Sequence, residues 1–131
     1  MGRYYSGDIE GKFWFAVQDS DDADFFGAKG EFPKTHLEYS FNTDHLPQIR
    51  EGIEICNKKL GVMKEKLDKF FEATNGYNDE IVKDWFKKAL NENINIKDFN
   101  NALVWYARLE LGEKIKKCVE ENNYCNFDAE I

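Results

Sequence analysis

Apolar side chains recur at Leu46, Ile49, Ile53, Cys56, Leu60, Met63, Leu67 and Phe70, in alternating steps of three and four. That spacing lays one narrow stripe along a helix. The remaining faces carry Arg50, Glu51, Glu54, Lys58, Lys59, Lys64, Lys66, Asp68 and Lys69. A long amphipathic helix is therefore predicted, capped at Asp44, tolerating Pro47 in its first turn and stopped at Asn75-Gly76. Its stripe must pack on another helix, later in the chain or in a partner subunit. An oligomer, at least a dimer, is the expectation.

Upstream, the period is two. Phe13, Phe15 and Val17 alternate with Lys12, Trp14, Ala16 and Gln18, and Leu37, Tyr39 and Phe41 alternate with His36, Glu38 and Ser40. Strict alternation predicts strands over 12–18 and 36–41, with a first strand over 3–8 joined by a hairpin. Between them lies the acidic stretch Asp19–Asp24. It runs through Phe25-Phe26-Gly27 towards Pro33, and with Gly27 and Gly30 it reads as a mobile flap.

Downstream, Ile81, Val82, Trp85, Phe86, Ala89 and Leu90 share one side of a helix over 79–90. Asn95 can cap a third helix reaching Glu121, and the tail after Asn122 has little pattern. Strands first and helices after predict an α+β fold in one domain, 1–131: a small N-terminal antiparallel sheet followed by three helices, the long one serving oligomerisation.

Charge and composition narrow the function. A net charge of −7 argues against broad DNA or RNA binding, which depends on basic surface. No run is long and apolar enough to cross a membrane. Cys56, Cys118 and Cys125 lack CxxC spacing and read as reduced thiols in a cytoplasmic setting. With His36 and His45 the only histidines, no histidine metal cluster is expected. The acidic stretch departs from calcium-loop spacing at Ala23, so no metal is assigned there. No phosphate loop, nucleophile elbow or HExxH motif is present, and no cofactor is implied.

Arg108 is the residue that most demands a partner. It stands in the stripe Val104, Arg108, Leu111, Ile115, Cys118. A guanidinium in an apolar row needs an anion, either a carboxylate or a ligand phosphate. Trp105 and Tyr106 flank it and could stack a base, although core packing also accounts for each ring. Asn91, just past the second helix, can read a base edge or ribose hydroxyls, and Trp85 is a further stacking candidate.

The opening, Arg3-Tyr4-Tyr5-Ser6-Gly7-Asp8-Ile9-Glu10-Gly11-Lys12-Phe13-Trp14-Phe15, followed by Asp21-Asp22-Ala23-Asp24-Phe25-Phe26-Gly27, resembles a phage family associated with defeat of the bacterial Thoeris system. These are signal-sequestering "sponge" proteins. The resemblance implies tight binding of cyclic ADP-ribose isomers without cleavage, in the host cytoplasm, and leaves other cyclic nucleotides open as ligands. It further implies helix-mediated homodimers or higher oligomers with pockets at subunit junctions. Carried over to this chain, it points to Arg108 and Asn91 as ligand contacts and to Trp85 for stacking. The competing expectation is a protein inhibitor that masks a host enzyme through the acidic surface of Asp19–Asp24. A nucleotide-processing enzyme is disfavoured because no acid–base constellation stands out.

Overall fold

The computed structural model describes residues 3–14, 17–28, 36–74 and 76–130. The expectations placed on Phe15 and Ala16, on Gly30 and Pro33, and on Asn75 as a helix stop lie outside the described residues. The fold is α+β, as the pattern predicts; the described residues form a four-stranded antiparallel sheet and four α-helices.

The strands are β1 (Tyr4–Gly7), β2 (Gly11–Lys12), β3 (His36–Asn42) and β4 (Tyr124–Glu130), ordered β2-β1-β4-β3. Register sets Tyr5 opposite Ala129 and Tyr39 opposite Phe127. Tyr5, Tyr39, Phe41, Cys125, Phe127 and Ala129 therefore share the buried face, where the rings of Tyr39 and Phe41 stack on Phe127 at 5.2 and 6.2 Å. Tyr4, Ser6, Ser40 and Asn126 face outward. Two expectations change. The second strand stops at Lys12, because the chain turns at Trp14, whose carbonyl accepts the N–H groups of both Val17 and Gln18. The patternless tail is the central strand β4. Cys125, Phe127 and Ala129 do alternate there, but flanking polar residues hide the signal until β1 and β3 supply partners.

The predicted long helix is two: α1 (Leu46–Leu60) and α2 (Met63–Ala73). Gly61, at φ 53°, breaks the run, and Val62 is left exposed. The start also differs. Asp44 is not the cap: a 3-10 turn, Thr43–His45, leads into α1 and is capped by Asn42, whose side chain accepts the Asp44 N–H at 2.9 Å and whose N–H donates to His45 Nδ1 at 3.0 Å. Asn78 and Asn95 cap α3 (Asp79–Leu90) and α4 (Ile96–Asn122). α1 lies along α4, burying Ile49, Cys56 and Leu60. α2 turns Leu67 and Phe70 into the core, where Phe70 meets Phe86 and Phe99. Five of the eight stripe residues are thus buried within one chain, and Leu46, Ile53 and Met63 are half-buried.

The acidic stretch is a built part of the core through residue 28, not a loose flap. It forms a short 3-10 helix, Asp22–Phe26, wedged between α1 and α4. Phe26 is fully buried in a notch made by two helical glycines. A Cβ on Gly112 would lie 2.3 Å from the Phe26 ring, and one on Gly52 2.8 Å from it. No helix among the described residues is long and apolar enough to cross a membrane.

Candidate functional site

The demand of Arg108 for an anion is met inside the chain. Its Nε donates to Asp22 Oδ1 at 2.8 Å, and the Asp22 side chain is only 6% exposed. The guanidinium carbon lies 4.7 Å from the Phe25 ring centre and 4.8 Å from that of Trp105. Those two rings meet edge to face at 5.7 Å, so Arg108 is an ion-paired cation seated against an aromatic corner, and Trp105 is occupied in holding it. A ligand phosphate is not needed to complete the apolar row.

The pairing reaches further. Asp22 Oδ2 accepts from Gln18 Nε2 at 2.9 Å, and the same Nε2 lies 3.3 Å from the Ala107 carbonyl. Gln18 Oε1 accepts the backbone N–H of Trp14 at 3.1 Å. Arg3 donates to Ser20 Oγ at 2.7 Å and to the Gln18 carbonyl. Asp24 accepts from the Tyr39 hydroxyl at 2.5 Å. Of the acidic stretch, Asp22 is buried, while Asp19, Asp21 and Asp24 face solvent, Asp24 also accepting from the sheet. Asp22 is thereby withdrawn from the acidic surface that motivates an enzyme-masking inhibitor, and Asp19, Asp21 and Asp24 are left on it.

Tyr106, one residue on from Trp105, faces a different way. Its hydroxyl donates to Asp68 Oδ1 at 2.6 Å. Burial, then Asp68, raises the phenol, while the Tyr106 hydrogen bond, with Lys64, holds Asp68 below the ordinary carboxylate value. Its ring stacks on Phe71 at 5.7 Å and meets Trp14 at 5.9 Å. Trp14 also packs edge-on to Phe71 at 5.4 Å. Tyr77 joins at Phe71 and Phe70, and Trp85 meets Phe70 at 5.4 Å. Trp85 and Tyr106 thus belong to one aromatic belt, with Arg108 and Trp105 in a separate cluster. Asn91 belongs to neither. It ends α3 in the left-handed conformation, its N–H bonded to the Lys87 carbonyl.

Where the sheet edge meets the helices, Lys12, Phe13, Trp14 and Tyr77 line an open groove of about 470 Å³. That is within the range of small-ligand sites. Phe13 is buried beneath it, and Tyr77 is 41% exposed. The Lys12 ammonium lies over the Tyr4 ring at 5.9 Å. Aromatic walls offer stacking to a planar ring, and the ammonium offers charge to a phosphate. None of the residues singled out from the sequence lines this groove; Tyr106 lies behind its Trp14 wall. The available signal was Trp14 itself, a large aromatic in the outward set of a strand pattern. Among the described residues no group of His, Cys, Asp and Glu could hold a metal ion. The chain matches no protein-family model, no curated protein and no solved structure.

Proposed function

We propose that this chain binds a small cyclic nucleotide signal of the cyclic ADP-ribose type and holds it uncleaved, withdrawing it from a host defence receptor in the cytoplasm. The observation that carries the reading is the groove at Lys12, Phe13, Trp14 and Tyr77, where aromatic surface and a lysine side chain line one open space. The resemblance of the opening to phage signal-sequestering proteins supports the same reading, and Trp14 falls within that opening. With a net charge of −7, a phosphate ligand depends on local cations such as Lys12. The base would stack on Trp14 or Tyr77.

The test is depletion followed by recovery. Cyclic ADP-ribose isomers are incubated with the protein, the free fraction is removed by filtration, and the bound fraction is released by heating and assayed by mass. Intact nucleotide recovered from the heated protein is the expected result. Altered nucleotide points to catalysis, and no depletion removes the sponge reading. Trp14→Ala should weaken binding by about 1–3 kcal/mol, roughly 5- to 150-fold, the usual loss of one stacking partner.

A further inference from the structure

Three side chains and one backbone N–H form an unbroken polar relay between the two clusters. Arg108 Nε reaches Asp22 Oδ1 at 2.8 Å, Asp22 Oδ2 receives Gln18 Nε2 at 2.9 Å, and Gln18 Oε1 receives the Trp14 N–H at 3.1 Å. Gln18 is 4% exposed and Asp22 8% exposed, so the central link is shielded from competing water and the two outer links are partly so. The last link falls on the residue that walls the groove.

We infer that Arg108, Asp22 and Gln18 are positioning residues for the groove: they set the backbone, and hence the indole, of Trp14 without touching the ligand. This rests on the groove being the nucleotide site.

The argument is one of local freedom. β2 ends at Lys12, so no sheet ladder holds Trp14. Its carbonyl is used by the turn to Val17 and Gln18, and its N–H is held by the Gln18 side chain. Gln18 can hold that position only if its own amide is fixed, and Asp22 and the Ala107 carbonyl fix it. Asp22 is a buried carboxylate held in turn by Arg108. Arg108 is held against the corner that Phe25 and Trp105 form, 4.7 and 4.8 Å from their ring centres. A rigid stacking wall costs a ligand less ordering than a mobile one. The aromatic contacts of Trp14 with Phe71 and Tyr106 locate one end of the ring, and the relay locates the other end of the residue.

The experiment uses the full chain carrying Trp85→Phe and Trp105→Phe, which leaves Trp14 as the sole tryptophan and keeps a ring beside Arg108. Into this background go Gln18→Met, Arg108→Ala and Arg108→Lys. Ile115→Ala, two turns along α4, serves as a control that weakens the core and leaves the relay intact. Two quantities are read below the melting temperature: acrylamide quenching of Trp14 in free protein, and the affinity for cyclic ADP-ribose. Gln18→Met and Arg108→Ala should raise Trp14 quenching and weaken binding by about tenfold, the loss expected when a fixed hydrogen bond is removed. Ile115→Ala should lower the melt and change neither, and Arg108→Lys should recover part of both.

Wild-type quenching and affinity in Gln18→Met and Arg108→Ala, with only the melt lowered, would overturn the inference and leave a stabilising ion pair. An equal change in Ile115→Ala would overturn it too, since any core damage would then suffice. If the parent protein binds no cyclic ADP-ribose, the nucleotide reading fails by itself. The quenching comparison then still decides whether the relay holds Trp14.

Discussion

Gly112→Ala should destabilise this protein although alanine is the better helix former. Gly112 sits inside α4, and its missing Cβ is where the Phe26 ring lies. The added carbon would fall 2.3 Å from Phe26 Cζ and 2.4 Å from Cε1. Phe26 has no room to withdraw. It is fully buried, Gly52 on α1 crowds it from the other side, and its short helix is anchored by Asp22 to Arg108 and by Asp24 to Tyr39. Overpacking of this kind costs about 3 kcal/mol, the upper end of the usual range. Replacing a helical glycine by alanine returns about 1 kcal/mol. The net loss is about 2 kcal/mol, a fall of about 1 M in the urea midpoint. Phe26→Ala by itself should cost about 3–5 kcal/mol through the cavity it leaves. In that background the clash is gone, so Gly112→Ala should stabilise by about 1 kcal/mol. The sign reversal, a coupling of about 3 kcal/mol, is read from four urea melts followed by circular dichroism. A Gly112→Ala protein as stable as wild type, or an equal loss in both backgrounds, would refute the wedge.

Three further outcomes are expected. Asp68 is depressed below 3.8 chiefly by the Tyr106 hydroxyl, so its stabilising contribution is present above that value and lost as pH falls through the lower folded value. The melting difference between wild type and Tyr106→Phe should therefore shrink between neutral pH and about pH 3, and a constant difference would show that Asp68 is not the partner that matters. Burial pushes the Cys56 thiol up to about 11, and Cys125 is raised as well, so a thiol reagent at neutral pH should label the folded protein far more slowly than the urea-unfolded chain; equal rates would contradict the burial. Leu67→Glu places a charge in a fully buried position, which should cost several kcal/mol and unfold the chain. A folded, soluble Leu67→Glu protein that light scattering finds reduced from oligomer to monomer would show instead that the stripe is a subunit interface.

Periodicity by itself determined the α+β class, the strand over 36–41, the helix over 79–90 and the cap at Asn95. In each, a hydrophobic repeat coincides with a local capping or turn signal. It also identified Arg108 as a cation that must have an anion, since the cost of an unpaired buried charge does not depend on the fold. Tertiary structure decided where that anion comes from. Asp22 is distant in sequence, and no local pattern links an acidic stretch to a helix that follows it so much later. The same holds for the seam, because a heptad stripe shows that a covering surface exists without saying whether it belongs to the same chain. The break at Gly61 was invisible to the stripe, which stays in phase across it. β4 was missed because a short central strand draws its stability from the neighbours on both sides more than from its own residues. The groove was missed for a related reason. Lys12 and Trp14 stand two apart in one strand pattern, but nothing local links them to Tyr77, which reaches them through the packing of Trp14 and Tyr77 on Phe71 and of Phe71 on Tyr106.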